Sequence, residues 1–154
     1  MIDDPKLVSE KQMDKWVKGF DSWDVCDQVC MNLFDKTPRA FEKAVKWTKS
    51  SEEFIKRAGF SLMACLAWHD KTSDDKEFIK LFSAIKREAA DERNFVRKAV
   101  NWTLRQIGKR NKKLNKEAIK TAKEIQKINS KTAKWIAVDA LRELQSQAVQ
   151  RRIK

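Results

Sequence analysis

The 154 residues hold only 3 Gly, 2 Pro and no Tyr, and Lys and Ala are the commonest residues. That mixture favours helices and leaves little material for hairpins, so the expected class is all-α, as one domain or a short repeat array. Charge is uneven: residues 78–154 carry 21 Lys+Arg against 7 Asp+Glu, whereas residues 1–77 carry 13 against 15. So basic a second half points to a polyanion, nucleic acid before an anionic membrane surface, and no apolar run approaches the ~20 residues that span a bilayer.

The chain opens on MIDDPKLVSEKQ, which is acidic and polar and therefore not a secretory signal. A first helix is predicted over about 9–18, ending at Gly19. A second, capped by Asp21 or Ser22, reaches about Asp35. Thr37-Pro38 pairs a capping residue with proline at the first helical position and starts a third helix, to about Lys49. Ser50 with Glu53 reads as a capping box for a fourth, to about Trp68. After a polar loop at 69–73, helices are expected over about 74–90 and 91–109. Residues 112–115 read as a loop with Asn115 as the next cap, for a helix to about Ile128. Ser130 opens the last helix, which frays near the basic end.

Three of these segments resemble one another: FIKRAGFSL at 54–62, FVRKAVNWTL at 95–104 and AKWIAVDAL at 133–141. Aligning Arg57, Lys98 and Trp135 gives offsets near the period of HEAT and armadillo repeats. The expected architecture is a right-handed α-solenoid of about eight helices over residues 1–154, with a concave binding surface.

The segment FVRKAVNWTLRQIGKRN, residues 95–111, is the most informative. On a helical period Phe95, Val96, Ala99, Val100, Thr103, Leu104 and Ile107 share one half of the wheel, while Arg97, Lys98, Asn101, Arg105 and Lys109 fill most of the other. Trp102 falls on the seam. Such a face either touches nucleic acid or belongs to a core helix with a half-buried Trp. In the second helix, Trp23 and Asp27 are one turn apart, and Asp27 lies about 40° beyond Trp23 at the edge of the apolar arc. A carboxylate there presents a focused negative charge; alternatively Asp24 and Asp27 simply favour the helix dipole. Arg57, with Ser61 and Trp68, lies off the main apolar arc of its helix, either solvated or able to grip a phosphate bidentately. Trp16 and Trp47 read as core. Cys26, Cys30 and Cys65 lack CxxC spacing, and His69 is the only histidine. A four-ligand zinc site is therefore not expected, and three reduced thiols in a cytoplasmic protein is the plain reading.

FDSWDVCDQ, then FIKRA, then FVRKAVNWTLRQIGK, in that order and spacing, resemble the HEAT-like-repeat alkylpurine DNA glycosylases, the AlkD class. The resemblance extends over nearly the whole chain. It implies a basic concave cleft for double-stranded DNA containing alkylated purines, lined by Trp23, Asp27, Arg57 and Trp102. Lys98, Arg105 and Lys109 would hold phosphates, along with other Lys and Arg of the last three helices. It implies excision of cationic N3- or N7-alkylated purines by a monomer without metal or other cofactor, with Asp27 stabilising the sugar cation. Members usually carry further helices before the WDxxD motif, whereas Met1 enters just before it here; Gly59-Phe60 and Trp135 also depart from the family pattern. The alternatives are a catalytically silent nucleic-acid-binding solenoid and a scaffold for an acidic protein partner.

Overall fold

The computed structural model describes residues 40–153. The helices expected over 9–18 and 21–35, and with them Trp16, Trp23, Asp24, Cys26, Asp27 and Cys30, lie outside the described residues. Within them the chain forms α1 (Ala40–Trp47), α2 (Glu53–His69), α3 (Asp75–Ile79), α4 (Phe82–Glu88), α5 (Asn94–Gly108), α6 (Lys112–Gln126), α7 (Lys131–Leu144) and α8 (Gln147–Arg152), with no strand among the described residues.

Caps set several of these boundaries. Ser130 Oγ accepts the Ala133 N–H at 3.2 Å and opens α7 as its sequence suggests. Ser146 Oγ does the same for the Val149 N–H at 3.3 Å, so the basic tail forms a short separate helix. Elsewhere the structure corrects the expected boundaries. α6 starts at Lys112, capped by Asn111, whose Oδ1 accepts the Leu114 N–H at 2.8 Å. Asn115 is not a cap: its buried Nδ2 donates to Gly108 O at 3.0 Å and Leu144 O at 3.2 Å. Ser50 Oγ accepts the Glu52 N–H at 3.1 Å rather than that of Glu53, and the N-cap of α2 is Glu52 with no side-chain cap hydrogen bond, so Ser50 and Glu53 form no capping box. The span 74–90 is broken where the Leu81 N–H bonds Phe78 O in a tight i→i+3 turn of 3.0 Å.

The helices stack in two rows. α2, α5 and α7 form one, α5 lying against both of the others; α1, α4 and α6 form the second, with α3 against α6 and α8 against α7. This is an α-solenoid, and the three segments that resemble one another in sequence are the three helices of the first row. Between the rows Leu62, Val96, Val100, Leu104, Ile107, Leu114, Ile125, Ile136 and Leu144 are all buried, each contributing roughly 1.5–3 kcal/mol on transfer from water. Trp47 is buried as expected. Gly59 lets α1 and α2 approach: a Cβ there would lie 2.7 Å from both Ala44 O and Thr48 N. An aliphatic side chain at that position would have no room.

Candidate nucleic-acid interface

α5 is held in place by side chains that reach carbonyls of its row neighbours. Thr103 Oγ1 lies 2.7 Å from Phe60 O of α2. Asn101 Nδ2 donates to Ile136 O of α7 at 3.2 Å. A buried side-chain hydrogen bond typically adds about 1 kcal/mol, but leaving such a group unpaired costs more, so these bonds fix the rotation of α5. With Val96, Val100, Leu104 and Ile107 turned into the core, Lys98, Arg105 and Lys109 share the opposite side, with Trp102 at their border. Lys98 is exposed, and Trp102 is half-buried, packed against the core. The structure thus brings four residues of the sequence prediction into one stripe.

Two of those four are not free cations. Arg105 Nη1 bonds Glu143 Oε2 at 2.9 Å, and Arg105 Nε bonds Asn101 Oδ1 at 2.8 Å and lies 3.8 Å from Asp139 Oδ2. Lys109 Nζ meets the other oxygen of Glu143 at 2.5 Å. Burial alone would push the Glu143 carboxyl up, but the hydrogen bonds from Lys109 and Arg105 prevail and hold it below the usual glutamate value. Glu143 and Asp139 were not among the expected site residues. A signal existed, because Arg105 and Glu143 are 38 residues apart, close to one repeat.

Arg57 is neither solvated nor presented to solvent: it is 7% exposed. Its Nη1 donates to Phe95 O at 2.6 Å, and its guanidinium sits 5.8 Å from the centre of the Phe95 ring. α2 is a largely buried helix whose Arg57 and Ser61 are both buried, while Trp68 at its C-terminal end is half exposed. On the far side of the stripe, Arg97 stacks 4.5 Å over the ring of Trp135, which gives the cation a flat aromatic support. The remaining lysines are placed differently from the sequence expectation. Lys116, Lys120, Lys123 and Lys127 are exposed along α6, in the other row, so much of the basic second half faces away from the α5 stripe.

Below the stripe, the C-terminal ends of α2 and α5 border a cleft of about 670 Å³ lined by Trp68, Lys71, Gln106, Lys109, Arg110 and Arg152, among others. Among the described residues no cluster of His, Cys, Asp or Glu could hold a metal ion. No helix among them is long and apolar enough to cross a membrane.

A family model described as "DNA alkylation repair enzyme" matches residues 3–144. Among solved structures, one described as a new family of proteins related to the HEAT-like repeat DNA glycosylases, with affinity for branched DNA structures, is similar in fold. Its TM-score is 0.70 at 22% identity, over 92% of this chain and 66% of that one. A designed armadillo repeat protein in complex with a (KR)4 peptide is similar at a TM-score of 0.49 and 14% identity, over 94% of this chain and 74% of that one. No curated protein sequence matches the chain.

Proposed function

Since the chain belongs to the DNA alkylation repair enzyme family, we propose that it is a monomeric, single-domain DNA glycosylase that excises cationic N3- or N7-alkylated purines from duplex DNA. The observation that carries this reading is the α5 stripe. Lys98, Arg105 and Lys109 lie on the side of α5 turned away from the core, with the half-buried Trp102 at their border, along the row of α2, α5 and α7. A stripe of three cations, two of them held by Glu143, bordered by a flat indole suits the sugar–phosphate backbone, whose contacts give affinity without sequence preference.

The chemistry follows from the lesion. An N-alkylated purine is already a cationic leaving group, so the glycosidic bond breaks with its electron pair passing to the base and with little need of acid. The deoxyribose gains oxocarbenium character. Asp27 stabilises that charge and orients the water that adds to the sugar, whose proton passes to the carboxylate or to solvent. Trp23 and Trp102 pack against the backbone and favour the cationic lesion through their ring faces. Arg57 supports the Phe95 turn of α5 that precedes Lys98.

The test is release of methylated purine from methylated duplex DNA. Asp27→Asn should cut release on the order of 10²-fold and leave duplex binding nearly intact, because the contact acts in the transition state. Asp24→Asn should do little. Trp102→Ala should weaken binding and release together. Undiminished release by Asp27→Asn would refute the catalytic assignment. A second reading, a catalytically silent DNA-binding solenoid, has support in the similar structure with affinity for branched DNA. That chain is longer than this one. A parent protein that binds duplex but releases no base would establish it.

A further inference from the structure

The cleft at the C-terminal ends of α2 and α5 is not needed to hold a duplex backbone, yet it has its own aromatic floor and its own charge. Trp68 is 50% exposed, the most exposed large apolar side chain among the described residues. His69 lies against it at 4.7 Å between ring centres, with the planes tilted by 31°. The indole is thus steadied by its neighbour and still leaves half its surface open.

Cations surround it. Arg110 is fixed by hydrogen bonds from Nη1 to Ala67 O at 3.0 Å and to Asp70 O, and by stacking 3.9 Å over Phe78. It forms no ion pair among the described residues, and its buried Nε has no hydrogen-bond partner there. Lys71 and Arg152 are exposed, again without ion pairs among the described residues. Asp75 is the one carboxylate on the cleft wall, and its Oδ1 is occupied by the Asn111 amide at 2.9 Å. The volume of about 670 Å³ falls within the range of small-molecule sites.

We propose that this cleft holds one unpaired nucleotide of a DNA strand, its base stacked on Trp68 and its phosphate held by Lys71 and Arg152. The inference rests on the duplex-binding reading of the α5 stripe, to which the cleft is joined by Lys109, a member of both. A duplex lying along Lys98 and Trp102 runs its next nucleotides toward Trp68, and an unstacked base there meets an aromatic face that accepts any base. Gln106, on the cleft wall one turn along α5 from Trp102, offers an amide to the base edge.

Binding of the full chain to a blunt duplex and to the same duplex with a short single-stranded tail tests this. Stacking of one base on an aromatic side chain changes affinity by about 5- to 150-fold; with His69 covering part of the indole, the tailed duplex should bind about 5- to 10-fold more tightly. Trp68→Ala should abolish that preference and leave blunt-duplex affinity unchanged, whereas Trp68→Phe should keep most of it. Lys71→Glu with Arg152→Glu should weaken the tailed duplex more than the blunt one. A parent with no preference for the tail, or a preference that survives Trp68→Ala, overturns the assignment. Loss of blunt-duplex binding on Lys98→Glu reads the α5 stripe alone, so failure of either proposal is seen separately.

Discussion

Glu143 holds two cations of the α5 stripe, and removing its charge should increase affinity for duplex DNA. In Glu143→Gln the shape is kept, but Lys109 loses its partner and Arg105 retains only Asn101 and the more distant Asp139. Each cation that becomes available to a phosphate adds about 0.9 to the slope of log affinity against log salt. Freeing one or both steepens that slope by about 0.9 to 1.8, which over a fourfold change in salt alters the variant-to-parent affinity ratio by about 3- to 12-fold. The gain should therefore be largest at low salt and shrink as salt rises. Fluorescence anisotropy with labelled duplex across a salt series measures it. Glu124→Gln is the control. It makes the same change in net charge, but its partner is Lys86, 2.5 Å away between α4 and α6 in the other row. Equal gains from the two variants would mean that only total charge matters and would refute a localised stripe. No gain, or a loss, from Glu143→Gln would mean that Arg105 and Lys109 do not touch DNA.

Three further expectations concern the scaffold. Gly59→Ala places a methyl 2.7 Å from backbone atoms of Ala44 and Thr48; the clash should outweigh the gain in helix propensity and destabilise by about 1–3 kcal/mol in denaturant unfolding, and an unchanged midpoint would mean that α1 and α2 are not closely apposed. Asn115→Ala leaves the Gly108 and Leu144 carbonyls without the buried amide and should cost about 1–3 kcal/mol. Lys56 joins α2 to Glu88 at 2.6 Å and Asp91 at 2.9 Å. Arg93 above all, with Lys56, holds the Asp91 carboxyl far below its usual range, and at Glu88 the bonds from Lys56 and Arg87 outweigh the upward push of burial. Both folded values are depressed, so their stabilisation is fully present above the ordinary carboxylate range and is lost as pH falls through the depressed values. Lys56→Met should lower stability at neutral pH, and its deficit against the parent should narrow as pH falls below about 4; a deficit that stays constant with pH would argue against the ion pairs.

Much of this fold is written in local pattern. Helix class follows from composition, and the assignment of Val96, Val100, Leu104 and Ile107 to the core follows from a 3.6-residue period that any packed helix must obey. The cap at Ser130 and the likeness of the segments at 54–62, 95–104 and 133–141 are equally local, and together they set which helices form one row. What periodicity cannot carry is the identity of the neighbour across the row. Arg57 lies off the apolar arc of α2, yet it is buried because α5 offers the Phe95 carbonyl and ring. Arg105 and Lys109 are plain surface cations on a wheel; α7 brings Glu143 to them from about one repeat away, and so sets how much charge the stripe presents. Asn115 looks like a cap until the Gly108 and Leu144 carbonyls compete for its amide. The lysines of α6 count toward the net charge of the basic half, but their row turns them from the stripe. In each case a long-range contact fixes the energy of a polar group, because burial and pairing depend on which surfaces meet, whereas helix formation depends on residues within a turn or two.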